Sequence, residues 1–109
     1  MRPIPEKLKK QIASDPAMKF CIHESPLCRG RVEWEHAFIY AGKQINEWWA
    51  IIGVCVYHHR GAGLDKDYNR FRALDRAVKV GQLPFIINNY PKQDWLQLYK
   101  FLSKKYERS

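Results

Sequence analysis

Cys55-Val56-Tyr57-His58-His59 is the stretch on which the reading of this chain turns. Two residues separate Cys55 from His58, the gap that lets one tight turn present two ligands to one ion. Working outward, all three cysteines (Cys21, Cys28, Cys55) and all four histidines (His23, His36, His58, His59) fall between Cys21 and His59, within 39 of the 109 positions. Seven scattered residues would rarely confine themselves so closely, and the clustering points to metal rather than to buried apolar thiols. Cys21 and Cys28 can supply a second pair of ligands, provided the loop between them bulges, and His23 competes with Cys21 for one position. Zinc suits this mixed thiolate and imidazole set, being content with four tetrahedral nitrogen and sulfur ligands. The expectation is a structural Zn2+ held by Cys21, Cys28, Cys55 and His58.

Glu35, His36 and His59 are left over by such a staple. A phosphodiesterase needs a base to activate water and a cation to stabilise developing charge and the leaving oxygen. A Glu-His pair on adjacent residues can divide these duties, one side chain holding the metal while the other faces a water molecule. His59 follows His58 directly, so the two rings can point apart, one toward a staple and the other toward a reaction site.

Around this centre the chain punctuates itself. Residues 5–13 read as a short helix with Pro5 near its first turn and Ser14-Asp15-Pro16 at its end. Residues 18–31 are irregular; Arg31 to Trp34 reads as a strand, Ala37 to Asn46 as a loop around Gly42, and Trp48 to Val54 as a short buried strand. Cys55 to Gly63 reads as a tight turn. A helix is expected from about Lys66 to Val80, capped by Asp65, with Tyr68, Phe71, Leu74, Ala77 and Val78 on one face and Arg70, Arg72, Arg76 and Lys79 elsewhere on its surface. Gly81 ends it and Pro84 prevents its resumption. A last helix from about Pro91 to Tyr106 carries Trp95, Leu98, Phe101, Leu102 and Tyr106 as an apolar stripe.

Glu35-His36, a strand ending at Cys55, and Cys55-Val56-Tyr57-His58-His59 opening onto a helix resemble the HNH endonucleases of the ββα-metal, or His-Me finger, superfamily. Members with zinc-binding cysteines often show an acidic-His pair, a strand, then Cys-x-x-Cys-His; here His58 stands at the second cysteine. The tract Val32-Glu33-Trp34-Glu35-His36-Ala37-Phe38-Ile39-Tyr40-Ala41-Gly42 is similar to small HNH proteins of phages. The likeness covers about residues 20–80 and implies an α+β fold: a small ββα-metal finger core with a zinc staple, flanked by helices at about 5–13 and 91–106. It implies that His36 is the general base, that Glu35 and His59 hold a catalytic divalent ion such as Mg2+ or Mn2+, and that Asn46 is the middle asparagine orienting the loop that bears the base. It further implies a metal-dependent DNA endonuclease of low sequence specificity, with the helix after His59 lying against the DNA backbone.

Composition agrees with a polyanionic partner. Nineteen Lys and Arg against eleven Asp and Glu leave a net charge of +8, a strong positive field on one small domain of 109 residues. Lys43, Arg60, Lys66 and Arg70 are the candidate phosphate contacts, which position more than they specify. No apolar run approaches a membrane span, and Met1-Arg2-Pro3-Ile4-Pro5 lacks the apolar stretch of a signal peptide, so a cytoplasmic setting is expected, that of a bacterial host if the chain is phage-encoded. An odd cysteine count without an export signal argues against a disulfide framework. Zinc deaminases need His-x-Glu with Pro-Cys-x-x-Cys, and metalloproteases need His-Glu-x-x-His; neither pattern is present. The competing reading is a non-catalytic zinc-containing module that binds nucleic acid, which leaves Glu35, His36 and His59 without a task; a third, compatible with the helices at both ends, is an interaction subunit of a larger DNA-processing machine.

Overall fold

A computed structural model describes residues 4–106. Of the N-terminal stretch read above for a leader, residues 1–3 lie outside the described residues. Helix α1 spans Glu6–Ala13, with Pro5 in an extended conformation at its N-cap and Glu6 complementing the helix dipole in the first turn. Its buried side chain is Ile12. A short 3-10 turn, Pro16–Lys19, follows, capped by Asp15 Oδ1 accepting from the Ala17 N–H at 3.0 Å.

The central hairpin joins β1 (Val32–His36) to the distant β4 (Ile51–Cys55), antiparallel, with Val32 opposite Cys55 and His36 opposite Ile51. Both strands differ from the sequence reading at their ends. β1 runs on to include Glu35 and His36, and Trp48–Ala50 forms a 3-10 turn before β4 begins. Between them a two-residue hairpin, β2 (Ile39–Tyr40) with β3 (Lys43–Gln44), occupies what read as plain loop. Its turn residues Ala41 and Gly42 both hold positive φ, 52° and 80°, the geometry that lets a two-residue turn follow the strand twist.

β4 is buried along its whole length. Ile51 closes a small cluster with Ile12 and Met18, while Ile52, Val54 and Cys55 belong to the main core. Gly53 allows the 3-10 segment to lie directly on the strand: a Cβ there would stand 3.0 Å from the Met18 carbonyl oxygen and 3.1 Å from that of Phe20.

A single-turn helix, α2 (Val56–Arg60), springs from the end of β4, within the stretch read as a turn. α3 (Lys66–Lys79) is capped as expected, Asp65 Oδ1 accepting from the Tyr68 N–H at 3.1 Å. It buries Phe71, Ala73, Leu74 and Ala77, and also Asn69 and Asp75. Arg76 is not the surface cation its sequence position suggested. Its guanidinium turns inward and donates to the carbonyls of Trp48 (2.8 Å), Trp49 (3.3 Å) and Ile51 (2.9 Å), where the 3-10 turn runs into β4.

Pro84 starts a helix rather than preventing one: α4 (Leu83–Asn89) holds it in the first turn, where a missing N–H costs nothing, and buries Ile86. The final helix, α5 (Trp95–Tyr106), begins four residues later than read, behind Asp94, whose Oδ1 accepts from the Gln97 N–H at 3.0 Å. Trp95 and Leu102 are buried, but Phe101 is largely exposed, so the inward stripe is narrower than the spacing implied. Phe38, Trp49 and Trp95 meet edge to face or tilted, with centroids 5.3–5.8 Å apart, and tie the C-terminal helices to the hairpin side of the core. The architecture is α+β, mixed helix with small antiparallel sheets, and among the described residues no helix is long and apolar enough to cross a membrane.

Candidate metal centre and adjoining cavity

Four donors converge behind the hairpin. Cys55 ends β4, and His58 is one turn on in α2. Cys21 and Cys28 come from the irregular segment, which is pinned by the Ile22 N–H to the Gly53 carbonyl (2.8 Å) and folded back at Ser25–Cys28 by the Cys28 N–H to the Ser25 carbonyl (3.0 Å). That turn is how a six-residue gap delivers both thiols to one point. The three sulfurs stand 3.2 Å (Cys55), 3.6 Å (Cys28) and 3.7 Å (Cys21) from His58 Nδ1, and all four donor atoms lie within 4.8 Å of one another. Tetrahedral donors at zinc's bond lengths of about 2.0–2.3 Å are separated by about 3.5–3.8 Å, so the group fits a zinc-sized ion. Burial pushes the Cys55 thiol up, but hydrogen bonds from the backbone at His58 and Arg29 and from the His58 ring outweigh it and bring the thiol down to about 6. Burial pushes Cys21 up to about 11, the usual resistance of a deep thiol to ionising without a cation beside it. Cys21, Cys28, Cys55 and His58 thus form a possible metal-binding group consistent with zinc. His23, the competing candidate, is not among the converging donors. Its ring lies flat on that of His58, centroids 4.0 Å apart at 15°.

His59 faces the other way, onto β1. Strand alternation puts Glu33 and Glu35 on one face, and both carboxylates reach the His59 ring. Its Nδ1–H donates to Glu33 Oε1 at 2.8 Å, so that in the neutral ring the lone pair is on Nε2, 3.7 Å from Glu35 Oε1. Adjacent donors on an octahedral ion with bonds of about 2.1 Å stand about 3.0 Å apart, so Glu35 and His59 can share such an ion after a small closing movement. Among the described residues these two side chains do not form a converging group of three or more donors; only the cysteine-histidine group does. Glu35 Oε2 accepts from Asn69 Nδ2 at 3.0 Å. Burial raises the Glu35 carboxyl above its ordinary range despite that hydrogen bond and the nearby His59 and Lys66. Glu33 shifts the opposite way, held down chiefly by its bond from His59, with Arg60 at 2.9 Å and Arg31 at 3.2 Å assisting.

His36, at the end of β1, bonds through Nε2 to Asn46 Oδ1 at 2.7 Å. An amide oxygen only accepts, so Nε2 carries a proton and, in the neutral ring, Nδ1 has the lone pair. Asn46 therefore touches the His36 ring itself rather than only the loop beneath it.

Glu35, His36, His59, Arg60, Lys66 and Arg70 line one cavity of about 630 Å³. Lys43 does not; it borders a separate depression with Asn46 and Tyr90. Two participants escaped the sequence reading. Glu33 was accessible to it, because residues two apart on a strand share a face. Asn69 was not, since nothing local distinguishes it from any polar helix residue. No family model matches the chain, and neither a curated protein nor a solved structure matches it.

Proposed function

We propose that this chain is a metal-dependent DNA endonuclease of the HNH type, hydrolysing phosphodiester bonds with little sequence preference. The observation that carries the reading is the wall of the 630 Å³ cavity, where Glu35, His36 and His59 stand beside Arg60, Lys66 and Arg70. Glu35 and His59 Nε2 hold the catalytic ion. Glu33 holds the Nδ1 side of the His59 ring and so aims Nε2, the carboxylate-histidine arrangement common around bound metals. When bound there, Mg2+ or Mn2+ supplies positive charge to the scissile phosphate and the leaving 3′-oxygen. His36 accepts the proton of the attacking water on Nδ1, its ring aimed by Asn46. Arg60, Lys66 and Arg70 draw the phosphate backbone into the cavity, and binding that rests on phosphate contacts weakens steeply with salt. The cysteine-histidine group, loaded with Zn2+, holds α2 against the loop and so sets the direction in which His59 points.

The test is incubation of supercoiled plasmid with the protein and Mg2+ or Mn2+. Nicked or linear product is expected, stopped by EDTA and reduced about 10²- to 10⁴-fold in His36→Ala. Undiminished cutting by His36→Ala removes it as the base. No cutting with any divalent ion leaves a zinc-containing nucleic-acid binder.

A further inference from the structure

We propose that Asn69 and His23 are positioning residues for Glu35, a two-residue brace anchored on the ring of His58. The inference rests on Glu35 and His59 being the ligands of the catalytic ion. Asn69 lies on the inner face of α3 and is wholly shielded from solvent. Its amide is used at both ends: Oδ1 accepts from His23 Nε2 at 2.7 Å, and Nδ2 donates to Glu35 Oε2 at 3.0 Å. The amide can face only one way. Turned over, its NH2 would meet the His23 N–H and its oxygen would meet a carboxylate. The Glu35 carboxylate, which only accepts, turns the Nδ2 end of Asn69 toward itself, the Nε2–H of His23 holds the Oδ1 end in place, and Asn69 so fastens one carboxylate oxygen that the other, Oε1, is left toward His59 Nε2.

The brace has a firm base. The His23 ring is stacked on His58 and tilted against Tyr68, with centroids 4.0 and 4.7 Å away. His58 is in turn fixed by the three sulfurs around its Nδ1. Side chains that orient a ligand through a hydrogen bond commonly govern metal affinity nearly as strongly as the ligand does.

Mn2+ binding, read by electron paramagnetic resonance on zinc-loaded protein, separates a brace from mere packing. Zinc content and melting temperature are followed in the same samples. Wild type is expected to bind one Mn2+ that Glu35→Gln loses. Asn69→Ala is expected to keep its zinc and weaken Mn2+ about 10- to 100-fold, the usual cost of losing such an outer partner. Asn69 is deeply buried, so the partly exposed His23 provides a second arm. His23→Leu, which cannot donate, should weaken Mn2+ in the same direction, and His23→Gln, whose amide reaches as far as Nε2, should restore it. Wild-type Mn2+ affinity in both Asn69→Ala and His23→Leu, with Glu35→Gln still defective, overturns the brace alone. Wild type that binds Mn2+ no better than Glu35→Gln overturns the ion site and the brace with it.

Discussion

Stripping the metal from Cys21, Cys28, Cys55 and His58 should unfold more than the loop that carries two of them. Apart from the thiols, the segment from Cys21 to Arg31 is tied to the rest of the chain by few backbone bonds, chiefly Ile22 to Gly53 (2.8 Å), Val56 to Arg31 (3.1 Å) and Tyr57 to Arg29 (3.3 Å). Cys21 and Cys55 are also members of the main core, so loosening them opens the cluster that includes Ile52, Val54 and Trp49. Zinc bound to such sites contributes about 10–16 kcal/mol at neutral pH. The whole stability of a domain is about 5–15 kcal/mol. The comparison decides the outcome: the metal-free chain should be largely unfolded, or lack a cooperative transition, near room temperature. The assay is thermal melting by circular dichroism before and after chelation, with released zinc counted by a colorimetric dye. One zinc per chain and loss of the transition on its removal are expected. Cys28→Ser, which removes the least buried of the three thiols, should bind zinc more weakly and melt earlier. Chelated protein that contains no zinc yet melts where the loaded protein does would show that the four donors are an ordinary buried cluster.

Three further outcomes follow from other parts of the fold. Glu35 has its carboxyl raised by burial, so its contribution to stability is present below the unfolded value near 4.5 and is lost as pH rises through the raised one; in zinc-loaded protein without Mg2+ or Mn2+, Glu35→Gln should therefore melt higher than wild type at neutral pH, and a lower melting temperature would contradict this. Arg76→Met removes three carbonyl contacts of 2.8–3.3 Å and should cost about 2–4 kcal/mol in urea unfolding, against no change if the guanidinium is merely parked there. Tyr90 donates to Glu47 Oε2 at 2.6 Å, and burial with that bond pushes its hydroxyl well above the usual 10.0, so its contribution is present below pH 10 and lost as pH climbs beyond it; Tyr90→Phe should flatten the alkaline decline in stability.

The residues that carry chemistry were more legible than the elements that hold them. Ligands for one ion must meet in space, and two of the four cysteine-histidine donors, Cys55 and His58, lie close enough in sequence to betray themselves. The jobs of His58 and His59 could be separated on paper because consecutive side chains at the start of a helix diverge. Short elements were harder. The Ile39–Gln44 hairpin has two residues per strand and α2 has five in all, too few for periodicity to register. Pro84 read as a stop because the helix before it ends there, although proline is equally at home in a first turn. Arg76 and Asn69 owe their roles to what other segments bring to them, a row of backbone carbonyls in one case and a carboxylate with a histidine in the other. No window of local sequence contains that information.

Anomalous diffraction from crystals of the zinc-loaded protein soaked in Mn2+ addresses the separation of the two imidazoles most directly. Data collected at the zinc and manganese edges should show zinc among Cys21, Cys28, Cys55 and His58, and manganese between Glu35 and His59 Nε2, open to the cavity beside His36. Manganese absent from the Glu35–His59 pair, or a single zinc shared by His58 and His59, would contradict a divided role for these neighbouring rings.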